Sequence, residues 1–347
     1  MPVAMELKAA RRLLGEQLLT FLDDIEPALR EDMLAALEME GKLLHRPASP
    51  LDGRWALLPF YLAGELRAGA ESGHTACAAA LAMECLVCST DLFDDGMDED
   101  RTPLVERLGV ARVLNVALAL AFLVQRILLA PIEKGSDPAQ SARLLDCVQH
   151  ALLRASGGQQ RDLLAERRAA CELSREECIE IAAAKSGALL SLACRLGALC
   201  AGVEEAQIEQ CAEMGRLLGI AAQLDNDAHD LSSVLQQPAS SQKSDLARGK
   251  KTLPVVLAAH SLRTARAPDA GGFDASLPQM AVHSEETRAK YARVLREGIL
   301  TTWGVALLYR ERARDCLHML TGGKPVSPAV CQILGFDDGA AVEGKKR

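Results

Sequence analysis

Apolar residues recur at three- and four-residue intervals along most of this chain, in segments broken by short runs rich in Pro, Gly and charge. That spacing lays one apolar stripe along a helix, and β-branched residues rarely alternate with polar ones as a half-buried strand requires. The pattern predicts one or two amphipathic helices within 5–45, then helices over 55–70, 74–96, 103–131, 138–157, 175–186, 187–202, 205–232, 253–263 and 284–321. HRPASPLDGR at 45–54, the Lys-bearing stretch 240–252 and RAPDAGGFDASLPQM at 266–280 read as loops. Ser174, with Glu177 three residues on, forms a capping box at the head of the 175–186 helix. No repeat of fixed period and no domain boundary interrupts the series. The expected fold is therefore all-α, a single large helical bundle over residues 1–335, with a disordered tail over 336–347 that lacks apolar periodicity.

Composition narrows the class. Of 347 residues, 49% are hydrophobic, enough for a sizeable core, while only 3% are aromatic and Ala and Leu abound, which favours helix. Eleven cysteines without finger-type pairing, and no secretory leader, fit a reducing cytoplasm. Cys85 and Cys88 form a lone CxxC and are expected in the core. The net charge of −8 with no basic stripe excludes nucleic acid as a partner, and no uncharged apolar run reaches the length of a membrane span.

The chemistry lies in two acidic clusters, DLFDDGMDED at 91–100 and QLDNDAHD at 223–230. Each sits where an apolar helical run gives way to carboxylates at helical spacing, so Asp91, Asp94, Asp95 and Asp98 share a face, as do Asn226 or Asp227 and Asp230. Like charges packed so closely repel unless cations lie among them. Hard oxygen donors without imidazole or thiolate suit Mg²⁺, which keeps several waters and shares a substrate phosphate. A solvated acidic surface is the alternative, but both clusters abut apolar stretches, AAALAMECLVCST and MGRLLGIAAQ.

In order and spacing, DDGMD (94–98), GGQQRDL (157–163), AAKSGALL (183–190), AAQLDNDAHD (221–230) and SDLARGKKTLP (244–254) resemble the trans-isoprenyl diphosphate synthase, or polyprenyl synthetase, family. The resemblance implies a class I isoprenoid synthase bundle, usually a homodimer, in which two aspartate-rich helices bind three Mg²⁺ ions and the diphosphate of an allylic substrate. It implies that Asp94, Asp98, Lys185 and Asp230 carry catalysis. Metal would be held by Asp94, Asp95, Asp98, Asn226, Asp227 and Asp230, and diphosphate oxygens by Arg101, Lys185, Gln223, Lys250 and, from a shifted position, Lys243. Gln159 and Asp162 are either structural hydrogen-bonders or site residues.

Departures from the family pattern bear on the acceptor. Where the family carries Gly-Lys-Arg before Leu-Arg-Pro this chain reads GRWALLP at 53–59, so Trp55 and Ala56 replace the basic pair. Val87 stands where a histidine commonly helps hold isopentenyl diphosphate (IPP), and paired arginines shrink to Arg101. A shifted alignment would instead give the basic role to Gly41, Lys42, His45 and Arg46. Each lost charge-assisted contact is worth about 1.5–3 kcal/mol, so the expected acceptor of an allylic C10–C20 prenyl group is something other than IPP: a peptide or a small molecule. STDLFDDGMDED is similar to the first motif of ComQ-type isoprenyltransferases, which modify a tryptophan of a peptide. A conventional IPP-condensing synthase, a terpene cyclase and a non-catalytic partner subunit are the alternatives.

Overall fold

Prolines and short polar side chains fix where the helices begin. Glu26 accepts a hydrogen bond from Leu29 N ahead of Pro27, Thr102 from Val105 N ahead of Pro103, and Ser327 from Val330 N ahead of Pro328. A proline in the first turn forfeits no helical hydrogen bond, and the side-chain acceptor satisfies one of the orphan amides there. The predicted capping box is present: Ser174 Oγ accepts from Glu177 N at 3.0 Å, and the Glu177 carboxylate accepts from Ser174 N at 2.8 Å.

The computed structural model describes residues 5–46, 49, 52–66, 73–98, 100–236, 245–268, 270–282 and 285–336. Among them the fold is all-α, with no strand. The helices are α1 (Leu7–Phe21), α2 (Pro27–Leu37), α3 (Arg54–Leu66), α4 (Gly73–Met97), α5 (Pro103–Leu108), α6 (Val110–Glu133), α7 (Pro138–Ala165), α8 (Arg175–Ala184), α9 (Ser186–Ala201), α10 (Glu205–Gln236), α11 (Asp245–Arg248), α12 (Leu253–Thr264), α13 (Phe273–Val282), α14 (Glu285–Leu320) and α15 (Pro328–Leu334). The chain divides into two compact units: residues 1–149, 192–214 and 314–347, and residues 150–191 and 215–313, with the boundaries falling inside helices.

In the first unit α4 lies against α3 and α6. Every residue from Thr75 to Ser89 is buried, so a helix that is apolar on nearly all sides has found cover on nearly all sides. Cys85 and Cys88 are core residues, as expected. By length and mean hydropathy both α4 and α6 could cross a membrane, which the strict count of uncharged residues had excluded; Glu84 and Arg126 interrupt the two runs. In α4 83% of the apolar stretch is buried inside the structure, so its apolarity is used as core. The single helix predicted over 103–131 is broken at Gly109, whose φ of +79° is a left-handed conformation an L side chain resists. α15 was not predicted; it packs on α3, and Phe336 just beyond it is buried, which corrects the expectation that residue 336 belongs to a disordered tail. Residues 337–347 lie outside the described residues.

In the second unit Phe273, Leu277 and Met280 of α13 are buried with Val255, Tyr291 and Leu295 of α12 and α14. This corrects the loop expected over 266–280. The three residues have the i, i+4, i+7 spacing of a helix face, but two preceding glycines and Pro278 obscured so short a pattern. α7 also runs past its predicted end at 157 to Ala165, because Gly157 and Gly158 are tolerated inside it.

The burial of α13 sets a stability expectation. Leu277→Ala should lower unfolding stability by about 2–5 kcal/mol in urea titrations, as for a packed core leucine, whereas Leu300→Ala, at a position 64% exposed, should stay within about 0.5 kcal/mol. Equal, small effects would mean that 273–280 is the loop the sequence suggested.

Candidate active site

A break between two helices organises the second unit's polar cluster. α8 ends at Ala184, Lys185 takes φ −79°, ψ −97°, and α9 resumes at Ser186. Two glycines let neighbouring backbones press against this break. A Cβ on Gly158 of α7 would lie 2.9 Å from Lys185 N, and one on Gly219 of α10 would lie 2.4 Å from Ser186 O. The close approach places Lys185 beside α7, where its Nζ donates to Asp162 Oδ2 at 2.7 Å. Lys185 is thus a partly buried, carboxylate-paired lysine, and Asp162 is one of the residues that hold it.

The pairing continues through a chain of charges. Lys250, buried, has its Nζ 3.9 Å from Asp162 Oδ2 and 3.5 Å from Asp245 Oδ1, and Asp245 N donates to Asp230 Oδ2 at 3.1 Å. Along α10, Gln223 Nε2 donates to Asp227 Oδ1 at 2.9 Å and Gln223 Oε1 accepts from Ser186 Oγ at 2.5 Å. One chain of contacts thus runs Lys185–Asp162–Lys250–Asp245–Asp230 and a second runs Ser186–Gln223–Asp227, and the charges of Asp245, Asp162 and Lys185 act on Asp227 across the two. Between the two candidates left open on α10, Asp227 is buried within this network and Asn226 is exposed. Lys243 lies outside the described residues.

Carboxylates crowd this network. Burial, reinforced by the charge of Asp245, pushes Asp227 up to about 7 and Asp230 up to about 6. Both acids are harder to ionise than free aspartate chiefly because burial penalises the charged form, and the neighbouring Asp245 carboxylate adds to that cost.

The first cluster belongs to the other unit. Asp94 is half-buried, Asp95 and Asp98 are buried, and Asp91 is exposed, so the helical face deepens toward the end of α4. α4 stops at Met97; Asp98 N still donates to Asp94 O at 2.8 Å and Asp100 N to Asp95 O at 2.9 Å, which keeps the acidic turn helical. Gly96 permits this end of α4 to abut α6, since a Cβ there would sit 2.7 Å from Leu114 Cδ2. Arg101 is exposed just beyond.

One residue missed as a leading candidate is Lys42. Its side chain is 9% exposed and its ammonium donates to the Asp91 carboxylate. The loop that carries it is tied on all sides: Asp52 accepts from Gly41 N at 3.1 Å, Arg11 donates to Leu43 O at 2.9 Å and to His45 O at 2.5 Å, and the Glu84 carboxylate accepts from Leu43 N at 2.5 Å. The only sequence signal for it was the Gly41-Lys42 pair and nearby His45 and Arg46. Asp245 was likewise legible only as part of the SDLARGKKTLP stretch.

Among the described residues no three His, Cys, Asp or Glu side chains converge into a ready cage for a metal. Mg²⁺ is bound by one or two carboxylates together with substrate phosphates and water, and the Asp94, Asp98, Asp227 and Asp230 carboxylates are donors of that type. The donors present are oxygens throughout.

Three comparisons show which known proteins the chain is similar to. The sequence pattern of the polyprenyl synthetase family matches residues 28–270. The chain is 27% identical over 332 residues to a (2E,6E)-farnesyl diphosphate synthase of Mycobacterium tuberculosis, covering 93% of this chain and 89% of that one. It is 28% identical over 264 residues to a geranylgeranyl diphosphate synthase of Sulfolobus acidocaldarius, covering 74% and 77% respectively. Its fold superposes on a crystal structure of a polyprenyl synthetase from Streptomyces coelicolor A3(2) with a TM-score of 0.72 at 24% identity, covering 94% of this chain and 96% of that one.

The raised acids make a signed prediction. Asp227 and Asp230 bind protons more tightly folded than unfolded, so the stability they contribute is full below about pH 4 and lost as pH rises through about 6–7. Mg²⁺ needs the carboxylates ionised and should therefore raise the thermal midpoint more at pH 8 than at pH 5.5. Asp227→Asn should raise the metal-free midpoint at pH 8 and shrink the gain from Mg²⁺; a metal-free midpoint that falls on this substitution would contradict the crowding argument.

Proposed function

The chain belongs to the polyprenyl synthetase family and is a prenyltransferase, and on that premise we propose that it ionises an allylic isoprenyl diphosphate and joins the prenyl group to IPP. The C1–O bond of the allylic substrate breaks and the diphosphate leaves with the electron pair. The alkene of IPP attacks the allylic cation, a C–C bond forms, and loss of a proton sets the new double bond. Asp94, Asp95 and Asp98 on α4, and Asp227 and Asp230 on α10 with Asn226 beside them, are the proposed metal ligands. The bound Mg²⁺, three ions by family resemblance, would stabilise charge developing on the leaving group. Lys185, Lys250, Gln223 and Arg101, with Lys243, are the proposed diphosphate contacts. Asp162 and Asp245 hold Lys185, partly buried, and Lys250, buried, in fixed orientations.

The observation that carries the choice of IPP is Lys42. The acceptor other than IPP, expected from the sequence, rested on missing basic residues, and it finds no support among relatives named as farnesyl and geranylgeranyl diphosphate synthases. Trp55, stacked under Arg54, and the buried Ala56 offer no cation for a second diphosphate. The clamped loop supplies one from Lys42 instead. A peptide or small-molecule acceptor is the second reading, favoured by the engagement of Lys42 with Asp91. ComQ-type kinship has no support beyond the likeness of the first motif.

A homodimer in the cytoplasm completes the proposal. Leu118, Phe122 and Leu129 form an exposed apolar stripe on α6, and Phe122 is 62% exposed. Such a stripe suits a second copy of the chain better than water.

With Mg²⁺ and geranyl, farnesyl or geranylgeranyl diphosphate, mass spectrometry should find longer diphosphates only when IPP is present. Alcohols or hydrocarbons formed without IPP, and no elongation with it, would favour the second reading. Phe122→Glu should shift the purified protein toward monomer in light scattering; an unchanged mass would remove α6 from the proposed interface.

A further inference from the structure

We propose that Asp91 is a specificity-determining residue that restrains the diphosphate-binding capacity of Lys42. The inference rests on the reading of Lys42 as the cation for IPP. Lys42 and Asp91 are unequal partners. The lysine is buried, and its loop is fixed by Arg11, Asp52 and Glu84, none of which can move without releasing a backbone hydrogen bond. Asp91 has a side chain 53% exposed on the outer side of α4, one turn before Asp94.

An incoming diphosphate can therefore displace Asp91 from Lys42 but cannot recruit Lys42 elsewhere. An ammonium offers three donors and no acceptor, and at least one donor is committed to the Asp91 carboxylate. Glu84, two turns earlier on α4, adds negative charge near the same ammonium but is occupied by Leu43 N. The diphosphate must approach the remaining donors against the charge of that carboxylate. This cost falls on the second substrate. It makes acceptor affinity adjustable at Asp91 without touching Asp94 or Asp98.

The test is IPP binding to the full-length protein by titration calorimetry, together with KM for IPP and for the allylic diphosphate. Asp91→Asn keeps the shape and removes the charge. It should tighten IPP binding by about tenfold, the size of one charge-assisted contact, and lower KM for IPP while KM for the allylic substrate moves far less. Lys42→Gln in the Asp91→Asn background should abolish the gain. Unchanged or weaker IPP binding in a variant with wild-type circular dichroism overturns the inference, as does a gain that survives Lys42→Gln. Failure of the IPP reading has a different signature: the wild type turns over allylic diphosphate with Mg²⁺ yet neither it nor Asp91→Asn elongates with IPP, whatever the calorimetry shows. Calorimetry decides the Asp91 inference in either case.

Discussion

Uncompensated carboxylate charge is the constraint around which this protein is arranged. An ionised acid removed from water costs several kcal/mol unless it is paired or hydrogen-bonded. Asp162 and Asp245 meet that demand through Lys185 and Lys250, and Asp227 through Gln223. The balance is incomplete, since Asp227 and Asp230 remain hard to ionise. A site in this condition has stored affinity for cations. A divalent ion held there, as proposed, would relieve the strain, so the same charges that weaken the fold would favour the loaded one.

Glycine makes that arrangement reachable. Lys185 sits at a break rather than within a helix because α7 and α10 come close enough at Gly158 and Gly219 that no Cβ would fit. The pattern recurs where Gly197 meets Pro59, with 3.0 Å from a Cβ to Pro59 O, and where Gly298 meets Pro254, with 2.3 Å to Pro254 O. Helices separated by a backbone-to-backbone contact cannot slide without clashing. The polar side chains at the break are consequently held by packing as well as by their own hydrogen bonds.

The sequence was informative where a signal is local. Helix starts at Pro103 and Ser174 and the division between α8 and α9 follow from capping chemistry and spacing, which depend only on neighbours along the chain. Gly109 was missed as a breaker because a single glycine inside an apolar run is ordinarily tolerated, and α13 because its three buried residues are too few to outweigh glycine and proline. At the site, carboxylates at helical spacing stood out, and Lys185 was reached through the resemblance of AAKSGALL to a family motif. Lys42 and Asp245 were not, because their significance is relational. Lys42 matters through Asp91, 49 residues away, and Asp245 through Asp230, 15 residues away, and no periodicity encodes such pairs.

The burial of α4 has a consequence for biosynthesis. A ribosome releases α4 before it has made α6, so for several seconds at an elongation rate of about 5–20 residues per second this long apolar helix has α3 as its nearest cover in sequence. During that interval Glu84 is its one ionisable acid between Thr75 and Ser89. Before the Leu43 amide reaches it, that carboxylate is hydrated and interrupts a surface that would otherwise invite aggregation. Once the chain has closed over it, the same carboxylate anchors the Lys42 loop. A side chain that reads as a flaw in the finished core is a guard on the nascent one.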